Sequence, residues 1–193
     1  MDRLLAASKA IERALIVISM AAGWLFIACT LVIVFDVITR KFGFQLPGMG
    51  STRLQELEWH LHTALFSFWL GTAYIKNAHV RIDILVVNTA PRKLAWIELL
   101  GVLVFALPYC LVAIYFSYDF FHTAWEFNES SDSATGLPWR WIPKGIISAG
   151  LILLLAAVVS VGLRLIVYLW GPERLRRAAA YAGARAPEQV RVP

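Results

Sequence analysis

Four long apolar stretches constrain this chain more than any other feature. Ala14 to Phe35 runs for 22 residues without a charged side chain, and Leu99 to Tyr118 and Gly145 to Leu163 are also uncharged. Trp59 to Ile75 is shorter, at 17 residues, and opens with His60 and His62. A helix needs roughly 20 apolar residues to cross a hydrocarbon core, and there its backbone must satisfy its own hydrogen bonds. The expectation is an all-α integral membrane protein with four transmembrane helices, over about 14–36, 57–76, 94–118 and 143–168. Composition agrees: 59% of the 193 residues are hydrophobic and only 16% are charged. Soluble domains carry about half and about a quarter, which excludes an ordinary soluble enzyme and a disordered chain. The first stretch is too long for a cleaved signal peptide, and Asp2, Arg3, Lys9, Glu12 and Arg13 before it are mixed in charge.

Charge then sets orientation. With four spans, the termini and the 76–98 loop share one side, which carries 13 of the 18 basic residues. The opposite side holds Arg40, Lys41, Arg53, Arg140 and Lys144. Basic residues are retained in the cytoplasm, so both termini are expected there, in a multi-pass membrane protein. The net charge of +5 then reflects topology and contact with anionic lipid, with no need of a nucleic acid.

Residues 1–171 read as one four-helix membrane domain, and 172–193 as a flexible, basic cytoplasmic tail. Pro47, Gly48 and Gly50 break the loop after the first span, and Thr52-x-x-Gln55 has the form of a capping box. Leu54, Leu57 and Leu61 share a face from there on, which suggests a short interfacial helical segment leading into the second span. Thr89 and Pro91 suit the start of the third helix, Gly136 and Pro138 interrupt the chain after it, and Pro143 opens the fourth. Small residues recur four apart at Ser19/Gly23, Ser67/Gly71, Gly145/Ala149 and Ala156/Ser160, a spacing that lets helices approach closely. Most of the eight tryptophans fall near span ends, where interfacial anchors belong.

The uncharged interior is itself informative. Ion and proton pathways place ionisable residues in the membrane, and transporters break their helices at the substrate site. These spans do neither, Pro108 being the nearest thing to an interruption. Cys29 and Cys110 lie in apolar runs and behave as small hydrophobes. With no nucleophile–base pair, phosphate loop or CxxC, the chain is not expected to be an enzyme or to hold a cofactor. Three polar clusters remain. In Glu56, Glu58, His60 and His62, only residues four apart share a face, so Glu56 and His60 can converge; a polar rim or subunit contact is favoured over a metal site. His79-Val-Arg81-Ile-Asp83 alternates polar and apolar residues at the cytoplasmic boundary. The segment from Glu126 through Glu129, Ser130 and Asp132 to Arg140 is acidic first and basic last, and is large enough to dock a soluble protein.

Leu54-Gln-Glu56-Leu-Glu58-Trp59, Leu70-Gly71-Thr-Ala-Tyr74 and His79-Val-Arg81-Ile-Asp83, in that order, resemble the small (Q-type) permease subunit of tripartite ATP-independent periplasmic (TRAP) transporters. Glu129-Ser130, Gly136-Leu-Pro138-Trp-Arg140-Trp141 and Ile142-Pro143-Lys-Gly145 resemble the same family's approach to its fourth helix. The resemblance spans roughly residues 15 to 170. It implies an accessory scaffold subunit that partners a large multi-span permease and a periplasmic substrate-binding protein. The large subunit would carry the sites for sodium and for an organic anion, a carboxylate or sulfonate. Arg81 and Asp83 would fix the cytoplasmic loop, Glu56, Glu58 and Trp59 would set the second helix, and Glu126, Glu129, Asp132 and Arg140 would contribute to docking the binding protein. A different class, a membrane redox subunit, would hold a b-type haem between His60 or His62 and His122.

Overall fold

The computed structural model describes residues 1–44, 47–79 and 89–179. Its elements are helices: α1 (Asp2–Phe42), α2 (Ser51–Ile75), α3 (Pro91–Glu126), α4 (Trp141–Trp170) and a short α5 (Glu173–Ala178). Three of them, α1, α3 and α4, are long and apolar enough to cross a membrane. α2 has 25 residues but is diluted by Glu56, Glu58, His60 and His62 and falls outside that set. Two anticipated caps differ. The first turn of α2 is tied by Gln55 Nε2 donating to Ser51 Oγ at 3.2 Å, one residue before the expected Thr52. The α3 cap is Ala90, without a side-chain hydrogen bond, and Pro91 occupies the first turn as anticipated. The basic tail begins as α5, with Leu175 buried.

α3 is not a uniform helix. Val102–Ala106 forms a π-helical turn, and the Leu107 N–H reaches back five residues to the Val102 carbonyl. Pro108 follows directly. Proline has no N–H and its ring collides with the carbonyl four residues earlier, so the wider turn accommodates it without ending the helix.

The chain divides into two compact units, 1–16 with 71–112 and 153–193, and 17–70 with 113–152. The first unit is built around a buried apolar cluster that includes Leu15, Ile75, Leu99, Val102, Val158 and Leu165. Gly71 makes it possible: a Cβ there would meet the Leu153 carbonyl oxygen at 2.8 Å. Hydroxyls supply directional ties. Ser8 and Ser160 donate to each other's carbonyl oxygens at 3.0 and 3.1 Å, and Thr72 donates to the Leu15 carbonyl at 3.0 Å.

The second unit is tied more by polar bonds. Trp69 Nε1 donates to the Ser19 carbonyl at 2.8 Å, and Ser148 Oγ donates to the Ser117 carbonyl at 3.0 Å. Asp36, fully buried in α1, accepts from Ser51 Oγ at 2.8 Å and pairs with Arg40 at 2.6 Å. Only 11% of the most apolar stretch of α1 is buried within the chain, against 39% for α4. The exposed remainder of α1, with Met20, Trp24, Phe26 and Leu31 among it, suits lipid or another membrane subunit.

Candidate functional site

Some of the polar residues singled out above converge on Glu56. This residue stands one turn into α2, and its carboxylate faces the 127–140 segment. Its Oε1 accepts the Ser131 hydroxyl, its Oε2 accepts the Leu137 N–H at 2.5 Å, and the Arg140 guanidinium lies 3.9 Å away. The side chain is only 12% exposed. Burial works to raise the Glu56 pKa. The Leu137 N–H, the Ser131 hydroxyl, Arg140 and His60 outweigh it and hold the carboxyl below its usual range.

The segment is shaped to reach this carboxylate. The Arg140 N–H donates to the Glu129 carbonyl at 2.8 Å, and the Ser131 N–H to that of Leu137 at 3.1 Å, closing the loop at its base. Gly136 sits where a Cβ would fall 2.2 Å from Ser131 Oγ and 2.7 Å from Glu56 Oε2, so any side chain would part the donor from its acceptor. Pro138 biases Leu137 toward extended backbone and so helps direct the N–H that Glu56 accepts. Trp139 takes a positive φ of 64°, uncommon outside glycine, as the chain turns into α4. Glu129 is paired with Lys144, whose ammonium lies 3.8 Å from the centre of the Phe120 ring. Arg140 also meets Asp132 at 3.3 Å. Glu56, Trp59, His60, Thr63, Arg140, Pro143, Lys144 and Ile147 line a cavity of about 240 Å3.

Glu56, Glu129, Gly136, Pro138 and Arg140 thus belong to one arrangement, and Pro143 lines its cavity. Other candidates fall elsewhere. Ser130 is exposed and its neighbour Ser131 makes the bond to Glu56. Glu58 lies on another face of α2, near Asp36 and Arg40, and its main-chain carbonyl is 3.7 Å from Cys29 Sγ. Trp59 is 68% exposed. Glu126 is exposed, 3.6 Å from His122. Gly71 and His79 belong to the first unit, where His79 lines a separate cavity with Tyr74, Glu98 and Phe105. Arg81 and Asp83 lie outside the described residues. His60 uses its Nδ1 on the Glu56 carbonyl oxygen at 2.6 Å, and His62 is exposed against Phe66. Among the described residues, no three His, Cys, Asp or Glu side chains form a group that could hold a metal ion.

Sequence comparison adds the decisive observation. Residues 29–167, well over half of the chain, match the family described as tripartite ATP-independent periplasmic transporters, DctQ component. The chain belongs to this family. Neither the curated proteins nor the solved structures yield a match. The DctQ component is the small permease of a tripartite transporter, so the chain is a transporter component of the inner membrane that crosses it more than once. The matched region contains the whole Glu56 arrangement and Asp36 as well.

The arrangement could not all have been found from sequence. Ser131 and the Leu137 N–H approach Glu56 across 75 and 81 residues, and neither bears a signal of its own. In the sequence Asp36 is only an acid that directly follows the first uncharged stretch. A charge four residues before an arginine, followed by Ser51 at a helix start, was the one available hint of its burial.

Proposed function

We propose that this small permease acts as the stationary scaffold of a secondary transporter that imports an organic anion, a carboxylate or sulfonate, with sodium. In this reading it crosses the membrane four times, α2 being the least apolar span, with both termini in the cytoplasm. The reading is supported by the part of α2 from residue 57 to its end at Ile75, about 28 Å of helix at 1.5 Å per residue and so close to the thickness of a hydrocarbon core. The placement of 13 of 18 basic residues on one side supports the orientation. The partners are a large multi-span permease and a periplasmic substrate-binding protein, as the tripartite family implies.

The observation that carries the scaffold role is how the helices are fixed. The ties within the apolar stretches are neutral, namely Trp69 to Ser19, Ser148 to Ser117 and Thr72 to Leu15. The ion pairs collect toward helix ends and the 127–140 segment. Such a body holds its shape and offers an apolar face, that of α1, to a partner or lipid. Among the described residues it provides no charged path for a solute. At the end where Glu56 sits, Glu129 and Arg140 brace the loop, leaving the exposed Glu126 and Asp132 to meet the binding protein. Arg81 and Asp83 would fix the cytoplasmic loop.

Co-expression of the tagged chain with the large permease of the same transporter tests this reading. A stable complex that survives detergent extraction is expected. Reversing the charges of Glu126 and Asp132 should then lower binding-protein-dependent uptake while the complex persists. Unchanged uptake removes the docking assignment, and two membrane chains that never associate remove the scaffold role.

A further inference from the structure

One end of the first unit gathers positive charge around a cavity that the scaffold role does not use. Arg92 in the first turn of α3, Tyr168 near the end of α4, and Arg176 and Arg177 of α5 line a space of about 320 Å3. Among the described residues, no carboxylate lines it. Arg176 donates through Nε to the Gly171 carbonyl at 2.7 Å, and its remaining N–H groups have no partner among the described residues. Arg177 meets Glu173 at 2.8 Å, a pair whose side chains are about four-fifths exposed and so weakly held. Arg92 has no ion-pair partner among the described residues. Arg174, on the same short helix, turns away to Asp2 at 3.2 Å and does not line the cavity.

The arginines do not hang on a loose tail. Leu175 and Ala179 are buried with Leu5 and Val167, and this small apolar cluster fixes the helix that carries Arg176 and Arg177. One turn beyond Arg92, Trp96 meets Trp170 edge to face, with centroids 5.0 Å apart and an interplanar angle of 80°. Both indoles are about half exposed, as side chains at the headgroup level of a bilayer are. The cavity therefore brings together three guanidinium groups and a phenol, and a half-exposed aromatic pair stands one helical turn from Arg92.

We propose that this cavity binds the phosphate diester headgroup of an anionic membrane lipid. Guanidinium groups match two phosphate oxygens at once, Tyr168 can donate a further hydrogen bond, and the tryptophan pair suits the glycerol and the start of the acyl chains. The inference rests on the chain being a membrane protein. It depends neither on which side its termini face nor on its role in transport.

The full-length chain, purified in mild detergent, is offered phosphatidylglycerol, cardiolipin or phosphatidylcholine, and native mass spectrometry counts the lipid retained. Anionic lipid should be retained at least about tenfold better than phosphatidylcholine. Arg92→Gln, Arg176→Gln or Arg177→Gln should each weaken retention about fivefold, the triple variant about a hundredfold, and Arg174→Gln should leave it unchanged. A second measurement needs no variant: brominated phosphatidylglycerol in vesicles should quench tryptophan fluorescence more than brominated phosphatidylcholine does. Equal retention or equal quenching of the two lipid classes overturns the proposal. So does a loss in Arg174→Gln that matches the triple variant, or displacement of the lipid by millimolar inorganic phosphate, which would make a soluble phosphate the occupant.

Discussion

The two compact units of this chain are held together by different chemistry. The first has an apolar cluster from Leu15 to Leu169, tied across by a reciprocal pair of serines and accompanied by a part-buried ion pair between Arg164 and Glu12 at 2.8 Å. The second is organised around acids that each have fixed donors: Asp36 with Ser51 and Arg40, Glu56 with Ser131 and Leu137, and Glu129 with Lys144. In a membrane protein the two strategies are not equivalent. Lipid is as apolar as leucine, so the first unit gains from close contact and dispersion and little from leaving water. The second gains from directional bonds, and it loses heavily when one partner of a buried charge is removed.

That contrast can be broken most sharply at Glu56. Glu56→Ala leaves the Leu137 N–H and the Ser131 hydroxyl without their acceptor, and should cost about 3 kcal/mol, read as a lower unfolding midpoint in detergent. Glu56→Gln keeps one acceptor oxygen and should cost about half as much. Acid should act on the same bonds. Because the folded-state pKa of Glu56 is lowered, its contribution is fully present above the usual carboxylate range and is lost as pH falls through the lowered value. The midpoint of the wild-type protein should therefore drop on acidification more steeply than that of Glu56→Gln; parallel profiles would remove Glu56 from the linkage.

In the apolar cluster of the first unit the expected effect is smaller. Leu165 is 1% exposed, and Leu165→Ala keeps the cavity penalty but, in lipid, little of the water-transfer penalty. About 2 kcal/mol is expected, insensitive to pH, and a cost near 5 kcal/mol would show that the distinction between the units is wrong. The smallest effect belongs to Asp132, whose side chain is 95% exposed. Asp132→Asn should leave the midpoint unchanged, because a solvated ion pair contributes little. Measurable destabilisation there would extend the Glu56 arrangement further along the loop.

Much of the fold was legible because lipid permits few solutions. Long uncharged stretches had to be helices, and Pro91, Gly136 and Pro138 acted where backbone chemistry places them. Gly136 shows the limit. The sequence marks it as a break, while its actual role, making room for Ser131 beside Glu56, depends on partners five and eighty residues away. Ser8 and Ser160 are 152 residues apart, and nothing local distinguishes them from other serines in apolar surroundings. The π-helical turn was foreshadowed only by Pro108, since a kink and a widened turn are alternative answers to the same missing N–H. α2 marks the opposite case: its histidines and glutamates lower its apolar character below that of its neighbours, although it lies wholly within the residues matched to the family.

Uptake by proteoliposomes carrying the large permease of the same transporter, with its binding protein added outside, tests the scaffold role most directly. With this chain present, sodium-dependent accumulation of the organic anion is expected, and without it accumulation should fall to background while the large permease remains inserted. Equal uptake with and without the chain would contradict the role assigned to it.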